Sequence, residues 1–231
     1  MTIAALIVAA GRGSRMGGSR PKALLAVGGM SMLGQAVRAF AAHPRIGTIV
    51  AAVADPEEAR AVLGPDAARI TLVRGGAERH DSVRLGLEAI GASEIVLVHD
   101  AARPLVQRRI IDAVIEAAER HGAAIPVLAV TDTVKRLRED GTVAATVPRE
   151  DLRLAQTPQG FRADLLRAAY DRAARAGDFA TDDAGLVERA GGRVATVEGS
   201  LVNLKITTPA DLELAEALIE RQARTGRQPD E

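Results

Sequence analysis

The chain has no cysteine and no tryptophan, and its aromatic residues make up 2% of the whole. Without cysteine there is no disulfide, no thiolate nucleophile and no thiolate metal site, so the core must hold by packing alone. So few aromatics exclude the stacking platform that many single-strand nucleic-acid binders use, and leave contacts to any base to backbone groups. Neither charge sign is in excess: Lys plus Arg and Asp plus Glu are 30 each, for zero formal charge. No chain-wide basic field therefore draws the chain to nucleic acid or to an anionic membrane. The apolar run 3–10 is too short to span a bilayer, lacks a basic flank and leads into Gly11-Arg12-Gly13 instead of a small-residue cleavage site. A cytoplasmic protein with neither nucleic acid nor membrane as partner is the expectation.

What is present is ample apolar material, 47% of 231 residues, enough for one globular domain with a sizeable core. Short Val- and Ile-rich runs at 3–9, 48–54, 70–74, 94–99, 123–129 and 193–197 read as strands. Between them lie segments of helical period: 32–42, 82–90, 107–121 and 209–222, the last striped by Leu212, Leu214, Leu218 and Ile219. Pro209 suits a first helical residue, with Thr208 as its cap. This alternation predicts an α/β fold, a Rossmann-like and mostly parallel sheet with helices on both faces. From about 131 to 156 β-branched residues alternate with charges around Asp140-Gly141, a hairpin signature too polar for the core, so a projecting arm is expected. A single domain over 1–222 and a polar tail at 223–231 complete the reading.

The loop after the first strand, Ala9-Ala10-Gly11-Arg12-Gly13-Ser14-Arg15-Met16, is rich in glycine and cations, with Pro21-Lys22 further on. In an open parallel sheet ligands collect at the carboxyl ends of strands, and glycines there let successive N–H groups approach an anion. A Walker loop does not fit, because Gly18 is followed by Ser19-Arg20; the Rossmann fingerprint does not fit either, because Met16 stands at its third glycine. A solvated basic loop is the plainer alternative.

The run AAGRGSRM with Pro21-Lys22 resembles the signature of nucleotidyltransferases with a Rossmann-like sheet. GGAERHDSV at 75–83, VHDAARP at 98–104, TDTVKR at 131–136, AQTPQGF at 155–161 and NLKITTP at 203–209 narrow the likeness. In order from residue 3 to about 220, these motifs resemble the 2-C-methyl-D-erythritol 4-phosphate cytidylyltransferases of the non-mevalonate isoprenoid pathway. The resemblance implies cytidylyl transfer from CTP to that phosphate with release of pyrophosphate, a divalent cation such as Mg²⁺, and a homodimer joined through the arm. A bifunctional relative fuses this domain to a cyclodiphosphate synthase, and 231 residues are expected to be too few to contain one as well.

Carried over position by position, the resemblance puts Arg15, Lys22, Arg149 and Lys205 in catalysis. Ala9, Ala10, Gly11 and Gly13 then cradle the triphosphate, while Gly76, Ala77 and Ser82 read cytosine and Asp100 and Ala101 complete the nucleotide site. Many relatives carry Asp where Ala77 stands, so only its backbone is relied on. Asp100, Arg103, Thr133, Arg149, Thr157 and Lys205 hold the second substrate, Thr133 and Arg149 from a partner subunit, and Asp100 is the candidate metal ligand. Plainer alternatives stand beside these: a helix capped by Asp81 or Ser82, an Asp100–Arg103 ion pair, and solvated charges at Arg149 and Lys205. His43, His80, His99 and His121 are expected to be structural. Rivals in function are a relative acting on ribitol phosphate, a sugar 1-phosphate or a molybdopterin, and a catalytically silent nucleotide-binding subunit.

Overall fold

The computed structural model describes residues 2–11 and 21–225. The chain runs β1 (Ile3–Ala9), a 3-10 turn (Lys22–Leu24), β2 (Ala26–Val27), β3 (Met30–Ser31), α1 (Met32–Ala41), β4 (Ile46–Val53), α2 (Pro56–Leu63), β5 (Thr71–Arg74) and α3 (Arg79–Ile90). It continues with β6 (Ile95–Asp100), α4 (Arg108–His121), β7 (Ala123–Ala129), β8 (Val134–Leu137), β9 (Val143–Val147), β10 (Arg153–Ala155) and β11 (Gln159–Arg162). Last come α5 (Ala163–Ala176), α6 (Asp183–Arg189), β12 (Ala195–Glu198) and α7 (Pro209–Thr225).

The main sheet has eight strands in the order β10-β7-β11-β6-β1-β4-β5, with β12 on β7. β1, β4, β5 and β6 are parallel neighbours, and β12 runs parallel to β7; β10 and β11 run the other way. Alternation along β1 shows why the sheet is buried on both faces. Ile3, Ala5, Ile7 and Ala9 enter the layer containing Phe40 of α1 and Ile110, Ile111, Val114 and Ile115 of α4. Ala4 and Leu6 enter the opposite layer, with Val83 and Leu87 of α3 and Leu166 and Tyr170 of α5. At Gly86 of α3 an added Cβ would lie 2.2 Å from Leu6 Cδ1, so the helix rests on β1 at a distance only glycine allows.

Phe161 on β11 is fully buried in the second layer. Phe161→Ala is expected to cost about 3–5 kcal/mol of stability through lost burial and a residual cavity, read as a lowered urea midpoint at unchanged slope.

Several boundaries and faces differ from expectation. The segment 131–156 is not all arm: β8 and β9 form the separate antiparallel hairpin, with Gly141 at φ +82° in its turn, but β10 belongs to the main sheet. β10 and β11 form one antiparallel run along β7, interrupted around Gln156 and Thr157. α3 begins at Arg79, one turn before Ser82, because Glu78 and Asp81 form a reciprocal capping box. On α7 Ala215 is buried with Leu212 and Ile219 against it, whereas Leu214 is 53% exposed. That helix also runs to Thr225, into the expected tail; its start is capped as expected, Thr208 Oγ1 accepting the Asp211 N–H while Asp211 accepts the Thr208 N–H. Among the described residues no helix is long and apolar enough to cross a membrane.

Candidate active site

Parallel pairing puts the carboxyl ends of β1, β4, β5 and β6 on one edge of the sheet, at Ala9, Val53, Arg74 and Asp100. Their loops are tied together: the Ala101 N–H donates to the Val8 carbonyl at 3.0 Å, and the Gly75 N–H to that of Val53 at 2.8 Å. A Cβ on Gly75 would lie 2.4 Å from Ala10 Cβ and 2.8 Å from Ser82 Oγ. Small residues there let three segments meet: the loops after β1 and β5, and the first turns of α3. Ser82 Oγ accepts the Gly76 N–H at 3.1 Å and donates to the Glu78 carbonyl at 3.2 Å, so this hydroxyl shapes the loop. Gly11 lies at the exposed end of the first loop; Gly13 and Arg15 fall outside the described residues.

Asp100, at the last position of β6, is the hub. Lys205 Nζ donates to its Oδ2 at 2.6 Å, and Arg79 Nε to its Oδ1 at 3.2 Å. The same guanidinium donates to Asp183 Oδ2 at 2.7 Å, and the Tyr170 hydroxyl to Asp183 Oδ1 at 2.6 Å. Burial alone would raise the Asp100 pKa, but the charges of Arg79 and then Lys205 more than offset it and hold the carboxyl well below the usual range. Asp183 and Asp100 likewise outweigh burial at Arg79 and keep it charged. The sequence reading missed Arg79, Asp183 and Tyr170; Arg79 and an acidic pair at 182–183 were visible, but nothing in the chain order joins them.

Two expected substrate contacts are turned inward. Thr157, 5% exposed, accepts the Asp100 N–H at 3.1 Å. His99 Nε2 faces the Arg103 carbonyl at 3.0 Å and so carries the proton, which leaves Nδ1 to accept from the Thr157 hydroxyl at 3.1 Å. Arg103 makes no ion pair with Asp100; its guanidinium donates to the carbonyls of Asn203 at 2.8 Å and Ala155 at 3.4 Å. Gln156 donates to the carbonyls of Ser200 and Asn203, and its Oε1 accepts from the Ser200 N–H and Asn203 Nδ2. The segment leading to Lys205 is thereby clamped from three sides.

His99 is fully buried, and desolvation lowers its pKa from 6.5 to about 4. The unfolded chain takes up this proton below pH 6.5 and the folded one refuses it until near 4. Stability therefore falls with pH through that window by about 3 kcal/mol from this group and is fully present above it. His99→Gln is expected to flatten the slope of unfolding free energy against pH between those limits.

The remaining expected positions lie on other elements. Lys22 opens the 3-10 turn, whose Ala23 and Leu24 anchor it in the core. On the arm, Thr133 and Arg149 are exposed, and Arg149 donates to the Thr131 carbonyl within the arm itself. His43 is buried on Asp112 of α4, 2.8 Å away, while His80 stacks on Phe179 at a ring separation of 3.8 Å. A cavity of about 310 Å³ lined by Leu24, Met30, Arg38, Val62, Leu63 and Asp66 contains none of the hub residues.

Among the described residues no three His, Asp or Glu side chains are grouped to hold a metal ion. Asp100 alone fits Mg²⁺ only as the single carboxylate that supplements phosphate oxygens and water, the usual manner of that ion. Its Oδ2 already accepts a hydrogen bond from Lys205, so a cation there would share that oxygen with the ammonium or displace it.

Comparison with known proteins gives the family of the chain. The family model described as 2-C-methyl-D-erythritol 4-phosphate cytidylyltransferase matches residues 3–221. A protein of that description from Saccharopolyspora erythraea is 49% identical, with 95% of this chain and 100% of that one covered. A bifunctional enzyme from Rhodospirillum rubrum is 51% identical over 94% of this chain; the chain spans about half of that relative, 56% of its length. The crystal structure of 2-C-methyl-D-erythritol 4-phosphate cytidylyltransferase from Thermus thermophilus superimposes with a TM-score of 0.81 at 43% identity, covering 95% of this chain and 100% of that one. By sequence over nearly its whole length and by fold, the chain belongs to the 2-C-methyl-D-erythritol 4-phosphate cytidylyltransferase family.

Proposed function

We propose that the rim around Asp100 transfers a cytidylyl group from CTP to 2-C-methyl-D-erythritol 4-phosphate, giving 4-diphosphocytidyl-2-C-methyl-D-erythritol and pyrophosphate, in the non-mevalonate isoprenoid pathway. The observation that carries the reading is Lys205 poised on Asp100 at the carboxyl edge of a parallel sheet, beside glycine loops built for close approach. A phosphate oxygen of the acceptor attacks the α-phosphorus; that P–O bond forms as the bond to the β-phosphate oxygen breaks, and pyrophosphate leaves. A phosphate monoester has its second pKa at about 6, so the nucleophile is already deprotonated at neutral pH and no general base is needed. The work is to bring two anions together and to stabilise charge on the α-phosphate, which positioned cations do.

In this reading Ala9, Ala10 and Gly11 present main-chain groups to the triphosphate, with Gly13 and Arg15 assigned there from sequence. Lys22 grips the phosphates. The cytosine edge meets the Gly76 carbonyl and the Ala77 main chain, because Ser82 already takes the Gly76 amide. Asp100 and Ala101 flank the ribose and the metal site. Mg²⁺, when bound, neutralises phosphate charge, and Asp100 Oδ2 would hold it. Arg103 and Thr157 act from behind, Arg103 fixing the segment before Lys205 and Thr157 the amide of Asp100. Thr133 and Arg149 reach the second substrate in a partner copy, so the working unit is a homodimer joined by the arm. The reaction is a cytoplasmic one.

The reading is tested by pyrophosphate release with CTP against UTP and with methylerythritol phosphate against ribitol 5-phosphate; equal rates with either competitor would contradict it. Lys22→Ala is expected to fold normally and to lower turnover by about a hundredfold, the usual cost of one transition-state contact. Mixing Arg149→Ala with Lys205→Ala, each inactive alone, is expected to restore about a quarter of the wild-type sites through mixed dimers. No restoration would rule out a shared site.

A further inference from the structure

Asp100 is connected to the interior by a chain of charged groups that the reaction itself does not require. Arg79 occupies its Oδ1, which leaves Oδ2 for Lys205. The other end of that guanidinium is held by Asp183, whose side chain is wholly buried and whose second oxygen accepts the hydroxyl of Tyr170, the sole tyrosine of the chain. The four groups come from four elements: β6, α3, α6 and α5. The start of α6 is itself fixed from β11. Gln159 donates to the capping Asp182 at 2.8 Å, and its Oε1 accepts the Ala184 N–H at 3.0 Å. Phe179, just before α6, stacks on His80 beside Arg79.

Resting on the role given to Asp100 above, we infer that Tyr170 and Asp183 are positioning residues for the transfer: they fix the Arg79 guanidinium, which turns Asp100 so that one defined oxygen faces Lys205 and the substrates. For packing alone a phenylalanine would serve at 170, since the ring already lies in the apolar layer. The hydroxyl has a different use, as it takes the oxygen of Asp183 that Arg79 leaves and so removes the carboxylate's freedom to rotate. An Arg79 paired with Asp100 alone would follow that side chain instead of setting it. Catalytic geometry is sensitive to such play, a displacement of about 1 Å costing up to a hundredfold in rate.

Tyr170→Phe is expected to lower kcat by about tenfold with KM for CTP changed less than about twofold, because geometry and not affinity is lost. Arg79→Gln lowers kcat by about a hundredfold and Arg79→Lys recovers part of it, restoring charge without the fork. In the Arg79→Gln background Tyr170→Phe has no further effect on kcat, because the link it acts through is gone. Should Tyr170→Phe fold poorly, Asp183→Asn keeps the shape, breaks the same link and gives the same split. An unchanged kcat in either variant, or a tenfold loss persisting in the Arg79→Gln background, overturns the relay. Asp100→Asn separates the two levels. Full activity there removes the reading of the site itself, whereas loss there with an intact Tyr170→Phe removes the relay alone.

Discussion

Lys205→Ala is expected to lower kcat/KM by about a thousandfold while leaving the thermal midpoint within a few degrees of wild type. The ammonium lies on the Asp100 carboxylate and is 44% exposed on its side chain, so the pair contributes little to stability. Its value lies in where it is held. Arg103, Gln156 and Asn203 clamp the segment before it, and its chain neighbour Ile206 donates its N–H to the Ala102 carbonyl at 2.8 Å. A cation fixed between a strand end and two anionic substrates needs no reorganisation when charge builds, and one such donor is worth about a hundred- to a thousandfold in rate. The upper end is expected because the family resemblance places Lys205 both in catalysis and in holding the second substrate, so one substitution removes both roles. Steady-state pyrophosphate release with a parallel melting curve checks it. A loss below tenfold would mean that Lys205 is a surface lysine beside the site.

Asp100→Asn is expected to lower turnover by at least about a hundredfold and also to destabilise the fold by up to about 3 kcal/mol, the lower end for breaking a buried ion pair. Two consequences separate this residue from Lys205. The variant keeps shape and volume but leaves Arg79 with Asp183 as its only described carboxylate and Lys205 with none in the hub. It also removes the carboxylate available to a divalent cation, so the response of rate to Mg²⁺ should weaken in the variant. Urea unfolding and a magnesium titration of activity read the two effects separately. A variant as stable and as active as wild type would show that the hub is an incidental surface cluster.

How far the sequence told this in advance depended on whether a residue's neighbours were local. β1 declares itself as an unbroken apolar run that ends at a glycine loop, and α4 by an apolar stripe of period 3.6. β10 and β11 do not: each has three or four residues, β10 is exposed throughout, and both are strands because β7 and β6 lie alongside. α3 starts a turn before the expected Ser82 because glutamate is an uncommon cap and its reciprocal bond with Asp81 is visible only in three dimensions. At the site, motifs carried by family likeness marked Asp100 and Lys205, which meet as a hydrogen-bonded pair 105 residues apart. Arg79 lies inside the motif GGAERHDSV without a role of its own there, while its partner Asp183, 104 residues away, and Tyr170 lie in none of the motifs. Arg103 and Thr157 were marked but given outward roles, because a motif says that a residue matters and not which way its polar atoms turn.

In the proposed reaction, cations and main-chain amides along one sheet edge gather two anions. A structure with CTP and methylerythritol phosphate bound tests that most directly. It should show the triphosphate against Ala9, Ala10, Gly11 and Lys22, cytosine at Gly76 and Ala77, and Lys205 moved from Asp100 onto phosphate. A triphosphate seated elsewhere, or Lys205 still on Asp100 with both substrates in place, would contradict it.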